Sequence, residues 1–414
     1  MMKKNLDEVV IVGAARTPVG AFLGDLKTVR VQDLGTTALK EAAKRAGVSL
    51  EEIEEVICGH VVGSPTSSNI GRVVGINAGL PIESTGYTVN RLCGSGIQSA
   101  VSAVQLLQAS EKKYVAAGGA ESLSRAPYFL PEEVRFQGFK TGDQRLIDAN
   151  TMIHTGSVGD GYPDLIHMGQ TAETLAKMYK ISREEQDEFA LNSQAKAKKA
   201  MESGRLAQEI VPVEITDRKG NVTVIDKDSH PRPDTSMEKL AKLRPAFVKG
   251  GSVTAGNSSG LNDGAAFEIF TTKENAAANN LEIMAKVMDY SVTGCEPDLM
   301  GLGPVNSIKE ILERNDFTLE DIDILEINEA FAAQTLACLK ELGNGPETEL
   351  YERLNPNGGA VALGHPLGCT GARMITSICY EFKNRPEARY AIASACIGGG
   401  MGISILLENG YYKD

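Results

Sequence analysis

Ser49-Leu50-Glu51-Glu52-Ile53-Glu54 returns 269 residues later as Thr318-Leu319-Glu320-Asp321-Ile322-Asp323, and a strand-length apolar run follows both copies. The same offset lays Ala38-Leu39-Lys40-Glu41-Ala42 over Ser307-Ile308-Lys309-Glu310-Ile311. Further along, Tyr114-Val115-Ala116-Ala117-Gly118-Gly119 lies over Tyr390-Ala391-Ile392-Ala393-Ser394-Ala395, now at an offset of 276. That second offset places Cys93-Gly94-Ser95-Gly96 on Cys369-Thr370-Gly371-Ala372, each at the start of a helical pattern. Two offsets, each kept across separate elements, describe two similar halves. The alternation of strand-like and helical runs within each makes them layered α/β units with buried mixed sheets.

Working outward, the chain divides into three parts. An N-terminal α/β half covers residues 1–120 and is completed by 249–275, and a C-terminal α/β half covers 276–414. Between them, 121–248 is an inserted loop domain in which prolines, charges and short helical patterns alternate and strand signals thin out. Within it, Glu173 to Tyr179 and Arg183 to Met201 read as exposed amphipathic helices. Lys196, Lys198, Lys199 and Arg205 read as a solvated face. Arg232, Lys239, Lys242, Arg244 and Lys249 stand against only Asp234 and Glu238, a local basic patch suited to phosphates.

That patch matters because the chain as a whole is acidic, with a formal charge of −12 over 414 residues. Such a balance argues against nucleic acid or an anionic membrane as partner. The length calls for more than one hydrophobic core. Seven cysteines, at 58, 93, 295, 338, 369, 379 and 396, form no C-x-x-C pair, which points to a reduced, cytoplasmic protein. The opening Met1 to Glu8 carries no recognisable address, and no apolar run approaches a membrane span.

Four stretches project reactive groups from turns. They are Asn90-Arg91-Leu92-Cys93-Gly94-Ser95-Gly96; Asn328-Glu329-Ala330-Phe331-Ala332; Asn357-Gly358-Gly359 through Gly364-His365-Pro366; and Cys396-Ile397-Gly398-Gly399-Gly400-Met401-Gly402. Tyr87-Thr88-Val89 reads as a strand end, so Cys93 falls where a strand hands over to a buried helix. The helix start is expected to favour thiolate there. The plain alternative is a small core residue. A thiolate exchanges thioesters readily. His365 would take the Cys93 proton, a second Cys would remove a proton beside a thioester carbonyl, and Asn328 would orient a water. The backbone N–H groups of 93 and 398 suit an oxyanion hole. A zinc site from Cys93, His365, Cys369 and Cys396 lacks close ligand pairing, so no metal is expected. A P-loop is absent, and Gly398-Gly399-Gly400 is misplaced for a dinucleotide fingerprint.

In order and along nearly the whole chain, these four stretches resemble the active-site signatures of the thiolases, most of all the biosynthetic acetyl-CoA C-acetyltransferase branch. The resemblance implies a layered αβαβα core with an inserted, CoA-binding loop domain. It makes Cys93 the acyl-accepting nucleophile, Cys396 the acid/base at the substrate α-carbon, and His365 with Asn328 the stabilisers of enolate or oxyanion. The N–H groups of Cys93 and Gly398 form the second oxyanion hole, and Cys369 packs. His167 and Met168 resemble the family's acyl-pocket segment, with Phe331 beside the Asn328 motif. Arg232, Phe247, Ala255 and Ser259 lie in stretches resembling the CoA-binding ones. The implied reaction is reversible condensation of two acetyl-CoA to acetoacetyl-CoA and CoA, with CoA thioesters as substrates and no cofactor. The implied assembly is a homotetramer or homodimer.

Ser68-Asn69-Ile70-Gly71-Arg72 replaces the family's usual Gln-Asn-Pro-Ala-Arg, Gln98 stands where Lys is common, and Phe129-Leu130-Pro131 departs from the usual loop. Three other readings stay open: a degradative 3-ketoacyl-CoA thiolase, a ketosynthase, whose chemistry usually needs a second His, and a catalytically silent scaffold.

Overall fold

The computed structural model describes residues 7–159, 167–345 and 348–413; residues 1–6, most of the opening stretch expected to carry no address, lie outside them. The N-terminal half runs β1 (Val9–Arg16), α1 (Val31–Ala46), β2 (Glu55–Gly59), α2 (Ile70–Ala78), β3 (Thr85–Val89), α3 (Ser95–Ala109) and β4 (Val115–Ser122). The chain then leaves the sheet. It makes a short hairpin of β5 (Tyr128–Phe129) and β6 (Ile147–Asp148), helices α4 (Ala149–Thr155), α5 (Met168–Met178) and α6 (Arg183–Glu202), and a second hairpin, β7 (Val213–Thr216) with β8 (Val222–Ile225). It returns as β9 (Asn262–Thr272), which inserts between β1 and β4. The C-terminal half follows as β10 (Ala285–Gly294), α7 (Gly303–Arg314), β11 (Ile324–Ile327), α8 (Ala332–Glu341), α9 (Leu367–Asn384), β12 (Tyr390–Ile397) and β13 (Met401–Asn409).

The duplication is visible in the pairing. In the first half β3 and β4 flank β2 in parallel, and β4, β9 and β1 then follow antiparallel. In the second, β11 and β12 are parallel and β12, β13 and β10 antiparallel, while a single parallel bridge from Leu325 to Leu354 stands where β3 would be. Pairing of Val10 with Lys286 and Ile11 with Ala285 joins the two halves into one sheet. The repeated hexapeptides are repeated capping boxes, Ser49 with Glu52 and Thr318 with Asp321, each feeding a buried parallel strand.

Alternation along each strand then sorts side chains into layers. Ala391, Ala393 and Ala395 face a central core with α3 and α9, whereas Ile392 faces an outer core with α7 and α8. In the first half Val115 and Ala117 face the centre, and Ala116 and Ala120 face α1 and α2. The result is an αβαβα stack. Its two central helices touch backbone to backbone, since a Cβ on Gly96 would collide with Ala372 N and one on Gly371 with Ile97 N. Strands covered on both faces are mostly apolar, which is why they read as apolar runs, and Glu268 in β9 and Glu326 in β11 are buried exceptions.

Two expectations in the loop domain need correction. Helix α5 starts at Met168 rather than Glu173, because His167 caps it: His167 Nδ1 accepts from Gly169 N–H and the Gln170 side chain accepts from His167 N–H, both at 3.0 Å. Helices α5 and α6 are amphipathic as expected, with an exposed face that includes Glu188, Lys198 and Lys199, but the opposite face is deeply buried. Met168, Ala172, Leu175, Phe189, Ala190 and Ala197 are buried, and Lys196 is no solvated charge but donates to the carbonyls of Leu354 (2.7 Å) and Tyr351 (3.3 Å).

Candidate active site

Residues 90–94 make the turn between β3 and α3, and its geometry is written in its side chains. Asn90 Oδ1 accepts from Leu92 N–H (3.0 Å), Ser95 Oγ accepts from Arg91 N–H (2.9 Å), and the same hydroxyl donates to Leu92 O (2.7 Å). Leu92 is held at φ +46°, a left-handed conformation that a side chain adopts only when its surroundings insist. Gly94 lets the turn press on the end of β12, for a Cβ there would lie 2.5 Å from Ile397 Cδ1. Cys93 is thereby buried and its thiol is aimed at the turn after β12. Burial pushes that thiol up to about 11, and the N–H groups of Gly398 and of Cys93 itself pull it back. The expectation that the helix start would leave a ready thiolate is therefore corrected: desolvation outweighs the donors, and the resting group is a thiol.

Cys396 is the penultimate residue of β12, fully buried. Burial raises its thiol well above the ordinary value, with Cys93 the next largest influence, and Leu92 packs against the clusters that hold the two cysteines. The strand then reverses through Gly398, Gly399 and Gly400, the last two at φ +83° and +84°. Met168 Cε and Ser157 lie where side chains at 398 and 399 would go.

Asn328 follows β11, and its N–H donates to Ser394 O (2.9 Å), which carries the parallel pairing one residue further. Its Nδ2 lies 3.3 Å from His365 Nε2, and its Oδ1 has no protein partner among the described residues. His365 is positioned from behind. Its N–H donates to Asn262 Oδ1 (2.8 Å), the preceding Gly364 sits at φ +97° against the same Asn262, and its Nδ1 lies 2.6 Å from Thr370 Oγ1. Burial, then Arg373 and His154, push the imidazole down to about 3, so the ring is neutral at rest. The buried carboxylate of Glu121 ties the two halves together here: it accepts from Val61 N–H (2.9 Å), Val62 N–H (3.2 Å) and Gly368 N–H (2.9 Å).

The remaining candidates form two groups. Met168 and Phe331 pack with Cys396 in one apolar cluster that Leu92 and Phe247 border. A ladder of rings reaches it from outside, His154 to His167 (5.2 Å), His167 to Phe247 (5.1 Å) and Phe247 to Phe331 (5.7 Å). Arg232 and Ala255 instead line a separate pocket of about 230 Å³ with His230, Lys239 and Leu243. Ser259 is tied to the first group, its N–H donating to Ala330 O (3.0 Å). Within the basic patch Lys239 and Lys242 are paired with Asp234 and Glu238, which leaves less free charge than the sequence suggested. Cys369 lies away from the thiols, packed with Ala266 and Ala372. Among the described residues no group of three or more His, Cys, Asp or Glu is arranged to hold a metal, and no helix is long and apolar enough to cross a membrane.

Sequence reasoning missed Thr370, Asn262, Glu121 and His154. None sits in a glycine-rich turn, and each acts through a partner more than 4 residues away, so no local pattern marks it.

Two thiols, a neutral imidazole, a carboxamide and inward-facing backbone donors, set at the strand ends of a duplicated α/β core, are the equipment of a cysteine-based acyltransferase. Comparison with known proteins agrees. The family model "Thiolase, N-terminal domain" matches residues 9–274 and "Thiolase, C-terminal domain" matches 281–409. The chain belongs to the thiolase family. It is 45% identical over 401 residues to an acetyl-CoA acetyltransferase of Syntrophomonas wolfei, covering 97% of this chain and 99% of that one. Among solved structures it is similar to the Bacillus anthracis acetyl-CoA acetyltransferase, with a TM-score of 0.91, 44% identity and coverage of 98% and 99%. It is also similar to human mitochondrial 3-ketoacyl-CoA thiolase in complex with CoA, with a TM-score of 0.90, 40% identity and coverage of 97% and 98%.

Proposed function

We propose that this thiolase condenses two acetyl-CoA to acetoacetyl-CoA and CoA, and runs the reverse thiolysis, through an acetyl group carried on Cys93. His365 Nε2 takes the Cys93 proton, the sulfur attacks the thioester carbonyl, and the oxyanion is met by the N–H groups of Cys93 and Gly398. CoA leaves as its thiol with the proton from Cys396, which is left as a thiolate while His365 keeps the Cys93 proton. A second acetyl-CoA enters, the Cys396 thiolate removes its α-proton, and the enolate, stabilised by His365 and Asn328, attacks the acetyl-enzyme. The Cys93 sulfur set free takes its proton back from His365. Both carbonyls are already activated as thioesters, so no cofactor is called for and CoA is substrate and product. The observation that carries the reading is the Cys93 turn, whose sulfur is met by the Gly398 N–H and influences Cys396.

His167, Met168, Phe247 and Phe331 are assigned to the acyl and pantetheine channel, and Arg232, Ala255 and Ser259 to the rest of CoA. The crowding of Met168 and Phe331 around Cys396 supports a short acyl group over the long chains of a degradative enzyme. Comparing kcat/KM for cleavage of acetoacetyl-CoA and 3-ketohexadecanoyl-CoA tests this: the short substrate should lead by at least about tenfold, and a lead for the long one overturns it. A cytoplasmic location fits seven free cysteines, two of which this chemistry needs reduced. A homo-oligomer, dimer or tetramer, fits the exposed Tyr128, Phe136, Phe139 and Leu146 on and between β5 and β6. Sedimentation in solution reads it directly, and a monomer at micromolar concentration sinks that part.

A further inference from the structure

We propose that Thr370 is a positioning residue that fixes the proton of the resting His365 ring on Nδ1 and so offers a bare Nε2 to the Cys93 thiol; the use of that nitrogen rests on the acetyl-transfer reading above. Thr370 is fully buried in the first turn of α9, with Oγ1 2.6 Å from His365 Nδ1 and 3.0 Å from Pro366 O. Pro366 O already accepts from the N–H groups of Cys369 and Thr370; with the hydroxyl proton directed to it as well, a lone pair of Thr370 faces the ring. At the other edge Asn328 Nδ2, a donor, lies 3.3 Å from Nε2. With the donors set this way, both contacts match one tautomer: proton on Nδ1, lone pair on Nε2.

The arrangement also serves the charged state. When the Cys93 S–H bond breaks and Nε2–H forms, the ring becomes a cation in a pocket whose burial and neighbouring Arg373 oppose it. The Nδ1–H bond to Thr370 then persists without any group turning, because the threonine already donates elsewhere. Nε2 later gives its proton back to the Cys93 sulfur when the acetyl group leaves it, and the tautomer is restored. Valine at 370 would keep the shape and remove the acceptor, leaving Nδ1–H buried without a partner. Serine would keep the hydroxyl.

The test uses the full chain labelled with ¹⁵N-histidine, the His365 signal being the one missing from His365→Gln. The expected spectrum of the unmodified protein near neutral pH shows a protonated Nδ1 and a bare Nε2; a proton on Nε2 overturns the proposal. In thiolysis of acetoacetyl-CoA, Thr370→Val should lower kcat by on the order of 10–100-fold, the scale seen when the far-side hydrogen bond of a metal-bound histidine is removed, with KM within about twofold. Thr370→Ser should stay within about threefold of the parent. A Thr370→Val enzyme with unchanged kcat also overturns the assignment, and a merely structural role would reduce the folded fraction without changing kcat per folded molecule. Should the valine variant not fold, the spectrum of the parent still decides. Absence of thiolysis in the parent defeats the functional reading and leaves the tautomer measurement standing.

Discussion

Cys93 and Cys369 occupy matching places in the two halves, one just before α3 and the other inside the first turn of α9. Both thiols are buried, and burial pushes both up, to about 11 and about 12. What separates them is what they face. Cys93 lies outside its helix, after a left-handed Leu92, and looks at the Gly398 N–H and towards Cys396. Cys369 lies inside its helix, against the methyl groups of Ala266 and Ala372. Desolvation is common to the pair, so reactivity has to come from the turn and from donors in the opposite strand end. The repeat supplied two cysteines and only one got a site.

The contrast can be broken in several ways. Cys93→Ala should abolish acetylation and lower thiolysis by on the order of 10⁴-fold or more, as removal of a covalent nucleophile does. Retained turnover measured with acetoacetyl-CoA and CoA would transfer the role elsewhere. For Cys396→Ala the acetyl-enzyme should still form from acetyl-CoA, while condensation falls by about 10²–10⁴-fold, the range of general acid–base catalysis. Normal acetoacetyl-CoA output from that variant contradicts the division of labour between the two sulfurs.

Acid should weaken the Cys93 side through its histidine. The folded protein holds His365 at about 3 and His230 at about 4, chiefly by burial, against an ordinary 6.5. Between those values the unfolded chain binds protons that the folded one refuses, so this contribution is complete above about 6.5 and is lost as pH falls. From pH 7 to 5 His365 alone accounts for about 2 kcal/mol, partly offset by His60, whose value Glu121 raises against burial. A urea midpoint that does not drop over this range would refute the buried neutral ring. Gly371→Ala should lower stability by about 1–3 kcal/mol, because the added carbon meets the backbone of Ile97 where α3 and α9 cross. Thermal unfolding measures it. The smallest effect is expected at the silent partner: Cys369→Ala should keep kcat/KM within about twofold, and a larger loss in folded enzyme would give that thiol a part in the chemistry.

The architecture was readable because duplication leaves matching blocks, and the hexapeptides 49–54 and 318–323 matched because each is a capping box before a buried strand. The turns around 93, 328, 365 and 396 were readable because a reactive side chain set among glycines or small residues is locally conspicuous. Asn262 and Thr370 were not, since their importance lies in one hydrogen bond each to His365, which only the folded chain makes. Burial was the other blind spot. A helix start beside a cysteine predicts a lowered thiol, and the local pattern carries no sign of the desolvation that reverses it. Lys196 was misread for the same reason, its stem lying under the segment 351–354.

The central claim is that one sulfur of the seven carries the acyl group. Incubating the protein with acetyl-CoA, quenching in acid and locating the added acetyl group by peptide mass analysis tests it most directly. The account predicts acetyl on the peptide containing Cys93, on that peptide alone, and its removal by added CoA. Acetyl on Cys369 or Cys396, or none on Cys93 in an enzyme that turns over, would contradict it.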